Sequence, residues 1–244
     1  MFLKDTYTIL KKELYAYFAT PIAYVYITFF LILSGVATYY FGNFFQRGQA
    51  DLVPFFSYLP WVFLVFLPAV SMRLFSEEKR IGTIELLFTL PIKLSSIVLG
   101  KFLAALVFVG ISLLLTTVQV AIVNYLGSPD NFIILSSYLG TLLLAATYLS
   151  IGSFISACTK NQVVAFILTV IVCLALNLSS YPVVVETMSK LFPEFIVTAI
   201  ANFDSLGHFD VITKGLFEVK TLFLFLSTIS AFLLLNIYVL DTKA

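Results

Sequence analysis

Residues 97–126 read IVLGKFLAALVFVGISLLLTTVQVAIVNYL. After Lys101 no Asp, Glu, Lys, Arg or His occurs until Asp130. A run this long and this apolar is a helix that crosses a bilayer, because lipid is the solvent that suits its surface. Five further runs are of the same kind, at about 21–41, 55–74, 132–157, 162–181 and 221–240. The expected fold class is therefore all-α: a polytopic membrane protein with six transmembrane helices.

Composition agrees. Of 244 residues 61% are hydrophobic and only 11% charged, against about 25% charged in a soluble domain. The mean hydropathy is +1.05. A net charge of +1 gives no reason to expect a nucleic-acid partner. Cys158 and Cys173 lack metal-ligand spacing and read as small packing residues. The first run is too long for the core of a cleaved signal and reads as a retained span.

Outside the spans the pattern changes. Residues 2–19 predict an interfacial amphipathic helix, with Lys4, Thr8, Lys11, Lys12 and Tyr15 on one face. Leu3, Tyr7, Leu10, Leu14 and Phe18 lie on the other. Pro21 permits the turn into the bilayer. Span 21–41, at 1.5 Å per residue, reaches about 31 Å, and Tyr39 and Tyr40 mark its far interface. Pro60 and Pro68 kink the second span. Residues 76–96 form a charged insert, and 182–219 a less apolar external segment with short amphipathic stretches near 186–200 and 209–218. With both termini in the cytoplasm, ten Lys and Arg lie inside (Lys4, Lys11, Lys12, Arg73, Lys79, Arg80, Lys93, Lys101, Lys160, Lys243) and four outside (Arg47, Lys190, Lys214, Lys220), as the positive-inside rule requires. The chain reads as a single transmembrane domain, 1–244.

No catalytic residue is expected. His208 is the only histidine, and no phosphate-binding glycine loop is present, so the chain is not an enzyme and should not hydrolyse nucleotide unaided. No metal site and no cofactor of its own are expected. Segments 102–129, 131–159, 161–185 and 221–240 lack Asp, Glu, Lys, Arg and His. Ion-coupled carriers keep such groups in the membrane, which argues against a self-powered carrier. Gln119, Asn124, Asn177 and Asn236 suit either a polar path or hydrogen bonds between helices.

The clustered charge sits in the insert. Arg73 to Arg80 can extend the second span beyond the bilayer, and Gly82 breaks it. Thr83 can cap a new helix with Glu85 in its first turn; Ile84, Leu87 and Phe88 share a face, and Pro91 follows the end. Composition alone leaves open whether this helix lies in the interface or fits a groove on a soluble partner.

The stretch 73–92, RLFSEEKRIGTIELLFTLPI, resembles the signature of ABC-2 type permeases: an acidic pair, a basic residue, Gly-Thr, Glu, two leucines and proline. Residues 18–24, 59–61 and 67–69 are similar to the gliding-motility branch (GldF and its NosY-like relatives). The resemblance implies an ABC-2 transmembrane domain in the bacterial cytoplasmic (inner) membrane. It also implies a second permease copy or related permease in a dimer, and a separate cytoplasmic ABC ATPase that carries ATP and Mg. A coupling helix would contact that ATPase, a role that falls on Glu77, Glu78, Arg80, Gly82, Thr83, Glu85, Leu86 and Leu87. The implied function is coupling of ATP hydrolysis to transport, as an exporter. The alternatives are a membrane anchor that passes force without moving solute, and an ion-coupled secondary transporter.

Overall fold

The structure is a computed structural model, and it describes residues 2–85, 91–190 and 192–242. Among these residues there is no strand. Twelve α-helices are described: α1 (Phe2–Phe18), α2 (Pro21–Val36), α3 (Val53–Ser71), α4 (Arg73–Ile81), α5 (Leu94–Leu115), α6 (Thr117–Leu126), α7 (Asn131–Cys158), α8 (Gln162–Leu178), α9 (Pro182–Ser189), α10 (Glu194–Ala201), α11 (Ser205–Thr213) and α12 (Val219–Asp241). A π-helical turn, Ala37–Phe41, continues α2. Among the described residues five helical stretches are long and apolar enough to cross a membrane: Pro21–Phe41, Val53–Ile81, Leu94–Leu126, Asn131–Cys158 and Val219–Asp241. The protein is an all-α polytopic membrane protein.

The sixth expected span differs from a simple helix. α8 stops at Leu178, and α9 leaves it at 90°. Pro182 is the cause: it drives Tyr181 into extended backbone, so the helix cannot continue through it. Three short helices then occupy the segment expected to hold two. The reading that placed the last stretch at 209–218 overlooked Asp204, whose carboxylate caps the N–H groups of Leu206 and Gly207 and starts α11 early. Gly215, at φ +81, ends the turn.

α7 is the centre of the bundle. It packs against α3, α4, α5, α8, α11 and α12, which its small residues permit. A Cβ at Gly152 would lie 1.9 Å from Ser71 Oγ and 2.6 Å from Ser71 Cβ. One at Gly140 would lie 2.7 Å from Ile212 Cγ2. Without a hydrophobic drive between helices in lipid, this backbone proximity and its dispersion contacts hold the bundle. Hydrogen bonds add to it. Tyr148 donates to Asn177 Oδ1, and Asn236 Nδ2 donates to Ser153 Oγ at 2.7 Å. Asn124 and Asn131 exchange reciprocal amide bonds of 3.1 Å. Three of the four amides noted in the sequence thus act between helices; Gln119 Oε1 is buried with no hydrogen-bond partner among the described residues.

The substitution Gly152→Ala is expected to lower the melting temperature of the detergent-purified protein, with about 1–3 kcal/mol of overpacking. Ser71→Gly in the same chain should restore most of it, whereas Ser71→Ala should not, because the clash includes Cβ. Thermal denaturation of the three variants followed by size-exclusion chromatography checks this.

Candidate functional site: the junction of α1, α4 and α5

The α3–α4 break exposes backbone groups that hydrocarbon or packed protein cannot leave unpaired. One side chain answers three of them. Ser156 on α7 accepts from Phe75 N at 3.1 Å and Ser76 N at 3.0 Å, and donates to Met72 O at 2.9 Å. α4 is therefore capped by another helix, since its own N-terminal residue makes no side-chain cap. Two residues before its end, Lys79 Nζ reaches Ala157 O, one of the carbonyls freed as α7 terminates. α4 ends at Gly82, which takes φ +82, a left-handed conformation that costs glycine little.

A third tether is electrostatic. Lys101, on α5, is only 3% exposed. Its ammonium lies 2.8 Å from Glu78 Oε1 on α4 and 3.1 Å from Glu13 Oε1 on α1. It also stands 5.5 Å from the centre of the Phe75 ring. By sequence Lys101 is a cytoplasmic charge at the edge of a span. Its i,i+4 neighbours gave no sign of its partners, which lie 88 and 23 residues away. Glu78 Oε2 is buried with no hydrogen-bond partner among the described residues.

α1 completes the junction. Thr6 and Ile9 are buried against α5, where Gly100 lets the helices meet: a Cβ there would lie 2.7 Å from Ile9 Cγ2 and 3.0 Å from Thr6 O. Tyr17 stacks on Phe108 of α5 with ring centres 5.0 Å apart. Burial holds the Tyr17 phenol above its ordinary pKa; Glu13 adds to this and Arg73 opposes it. The two-faced helix read from the sequence is three-faced. Thr6, Ile9 and Glu13 meet the bundle, the lysines point away, and Leu3 and Tyr7, 79% and 64% exposed, form a separate apolar edge. The polar Thr6 and Glu13 on the buried side concealed that face from an apolar-periodicity reading.

The residues singled out in the insert separate into two groups. Glu78 faces inward and is occupied by Lys101. Glu77 is half-buried. Arg80, Gly82, Thr83 and Glu85 are exposed, and Ile84 packs on the core. Thr83 Oγ1 lies 3.5 Å from Glu78 O. Leu86 and Leu87 lie outside the described residues, as does most of the expected 83–90 helix; Ile84 and Glu85 are helical. His208, remote from this junction, bridges Thr221 Oγ1 and Asn202 O at 2.9 and 3.2 Å. Among the described residues no group of His, Cys, Asp and Glu is arranged to hold a metal.

A helical stalk continuing the proline-bearing second span, held by an ion pair to Lys101, stands in the same stretch that carries the insert motif. The profile of the ABC-2 family transporter proteins matches residues 8–244. The chain belongs to that family. It is a membrane-embedded subunit of an ABC-2 type transporter. No curated protein matches the chain.

Lys101→Met is expected to cost about 1–3 kcal/mol, less than for a fully buried pair, because it leaves two half-buried carboxylates without their buried counter-charge and Glu13 keeps only the exposed Lys12, 3.7 Å away. Adding Glu13→Gln and Glu78→Gln to the same chain should recover most of the loss. Thermal melting of the single and triple variants in one detergent distinguishes this from a simple packing defect, which the glutamines would not relieve.

Proposed function

We propose that this chain couples ATP hydrolysis by a separate cytoplasmic ATPase subunit, which binds ATP and Mg, to movement across the membrane. The observation that carries this is the α4 stalk: its root is fixed to α7 by Ser156, and further along the same side Glu78 ties it to α5 and Lys79 to α7. Its far end presents Arg80, Gly82, Thr83 and Glu85 to solvent. An element tethered at one side and charged at its free end suits a docking lever. Glu77, Leu86 and Leu87 belong to the same proposed surface by their place in the motif. Glu78 has a different part: it supports the lever from within.

Displacement of the stalk would reach α1 and α5 together, because Lys101 holds both. In this reading the α4 end of the bundle and both termini face the cytoplasm, the membrane is the bacterial inner membrane, and the chain works as a dimer with itself or a related permease. Export is the proposed direction. The gliding-motility branch is proposed on the similarity of residues 18–24, 59–61 and 67–69.

A force-transmitting anchor is the second reading. It is favoured by the burial of Asn177 and Asn236 in bonds between helices, which removes them as lining for a solute path. Both readings need the docking surface.

Arg80→Glu combined with Glu85→Lys is expected to abolish co-purification of an ATPase subunit from the native host and any ATPase stimulation, with the melting temperature of the chain unchanged. Survival of both activities with the charges reversed would remove the coupling role from this surface. Substrate flux measured in the intact complex then separates transporter from anchor.

A further inference from the structure

At the end of the bundle opposite α4, a hollow of about 320 Å³ opens between α3, α7 and α11. That volume lies at the lower end of the range for ligand pockets, about 300–1,000 Å³. Its deep wall is apolar: Phe56 and Phe209 are buried there. Pro60 shares the wall, and by its missing N–H leaves Phe56 O without a helical donor. The rim carries Tyr181, partly exposed, a residue type that settles at the level of lipid headgroups, and the inner end carries Trp61. Trp61 is eight residues into α3, about 12 Å along its axis from Val53. The hollow therefore runs from the membrane surface toward the hydrocarbon.

The lip is charged and balanced. Asp210 and Lys214, one turn apart on and just beyond α11, form an exposed ion pair of 2.5 Å and both line the hollow. Their placement is secured by the packing of α11 on α7, where Ile212 sits over Gly140 and Ser136 Oγ is 3.2 Å from Ile212 O. An exposed pair of this kind contributes little to stability, so exchanging it for two partners on one ligand costs little.

We propose that this hollow binds a single phospholipid of the adjacent leaflet with a zwitterionic, primary-ammonium head, as in phosphatidylethanolamine. One acyl chain enters between Phe56 and Phe209. The ammonium donates to the Asp210 carboxylate, and the Lys214 ammonium donates to the phosphate. A head with net negative charge would meet Lys214 equally well but would be repelled by Asp210, so head-group preference is the signature of the site. Binding at this end needs no ATPase and does not depend on the coupling reading.

Trp61 is the only tryptophan in the chain, so its emission reports on the inner end of the hollow, where the acyl chain would lie. The test uses the full chain reconstituted in phosphatidylcholine vesicles that contain phosphatidylethanolamine or phosphatidylglycerol with brominated acyl chains. Quenching is expected to reach half its maximum at about two- to fivefold lower mole fraction for the ethanolamine lipid, the scale set by an exposed ion pair. Asp210→Asn should erase that preference without changing quenching by bulk lipid. Ser57→Phe, which places a ring in the hollow from an exposed position of its wall, should do the same. Equal quenching by both lipids in the unaltered chain would overturn the proposal, as would a preference that survives both substitutions.

Discussion

Inside a bilayer no water meets an unpaired backbone group, and each one costs several kcal/mol. The architecture follows from that constraint wherever a helix stops. At the α3–α4 break the hydroxyl of Ser156 serves two N–H groups and one carbonyl of another helix. At the end of α7, Lys79 takes the carbonyl of Ala157. At the start of α8, Asn161 caps Val163 and Val164. The first two of these ends are also contacts between helices, and because both involve α4 they define where the stalk points.

The same constraint explains why a lysine with 3% exposure is tolerable beside that stalk. Lys101 has two carboxylates within 3.1 Å and an aromatic face beside it. Such a pair gains little net stability over an apolar substitute, but it fails badly when one member is lost. Its consequence is geometric. Three elements distant in the chain, α1, α4 and α5, are held in one arrangement, so movement of one is resisted or followed by the others. Close approach at Gly100 reinforces this link between α1 and α5.

The two ends of the bundle are built differently. At the α4 end, charges are drawn inward and paired across elements. At the α11 end, the ion pair Asp210–Lys214 lies within one turn and open to solvent, above an apolar hollow. The stiff end suits the transmission of a displacement, and the open end suits contact with an amphiphile. α7 runs through both, with Ser156 at one extremity and Gly140 under α11 toward the other.

Helix class and the broad positions of the spans were readable from hydropathy, since runs such as 97–126 leave no other stable solution in lipid. The insert motif between Arg73 and Ile92 likewise pointed to the family that the profile match over residues 8–244 shows. Local punctuation carries further detail: Gly82 ends α4 in a left-handed turn, and Asp204 caps the start of α11. What periodicity could not reveal were partnerships between residues far apart in the chain. Glu78 looked like part of a solvent-facing charge run, yet it turns inward to a lysine 23 residues away. Glu13 broke the apolar face of α1 because its partner is polar and 88 residues distant. A side chain's own neighbours set its propensity and its period, while its charge partner depends on which helices the packing brings together. That packing rests on backbone approach at glycines such as Gly100 and Gly152, which leaves no trace in hydropathy.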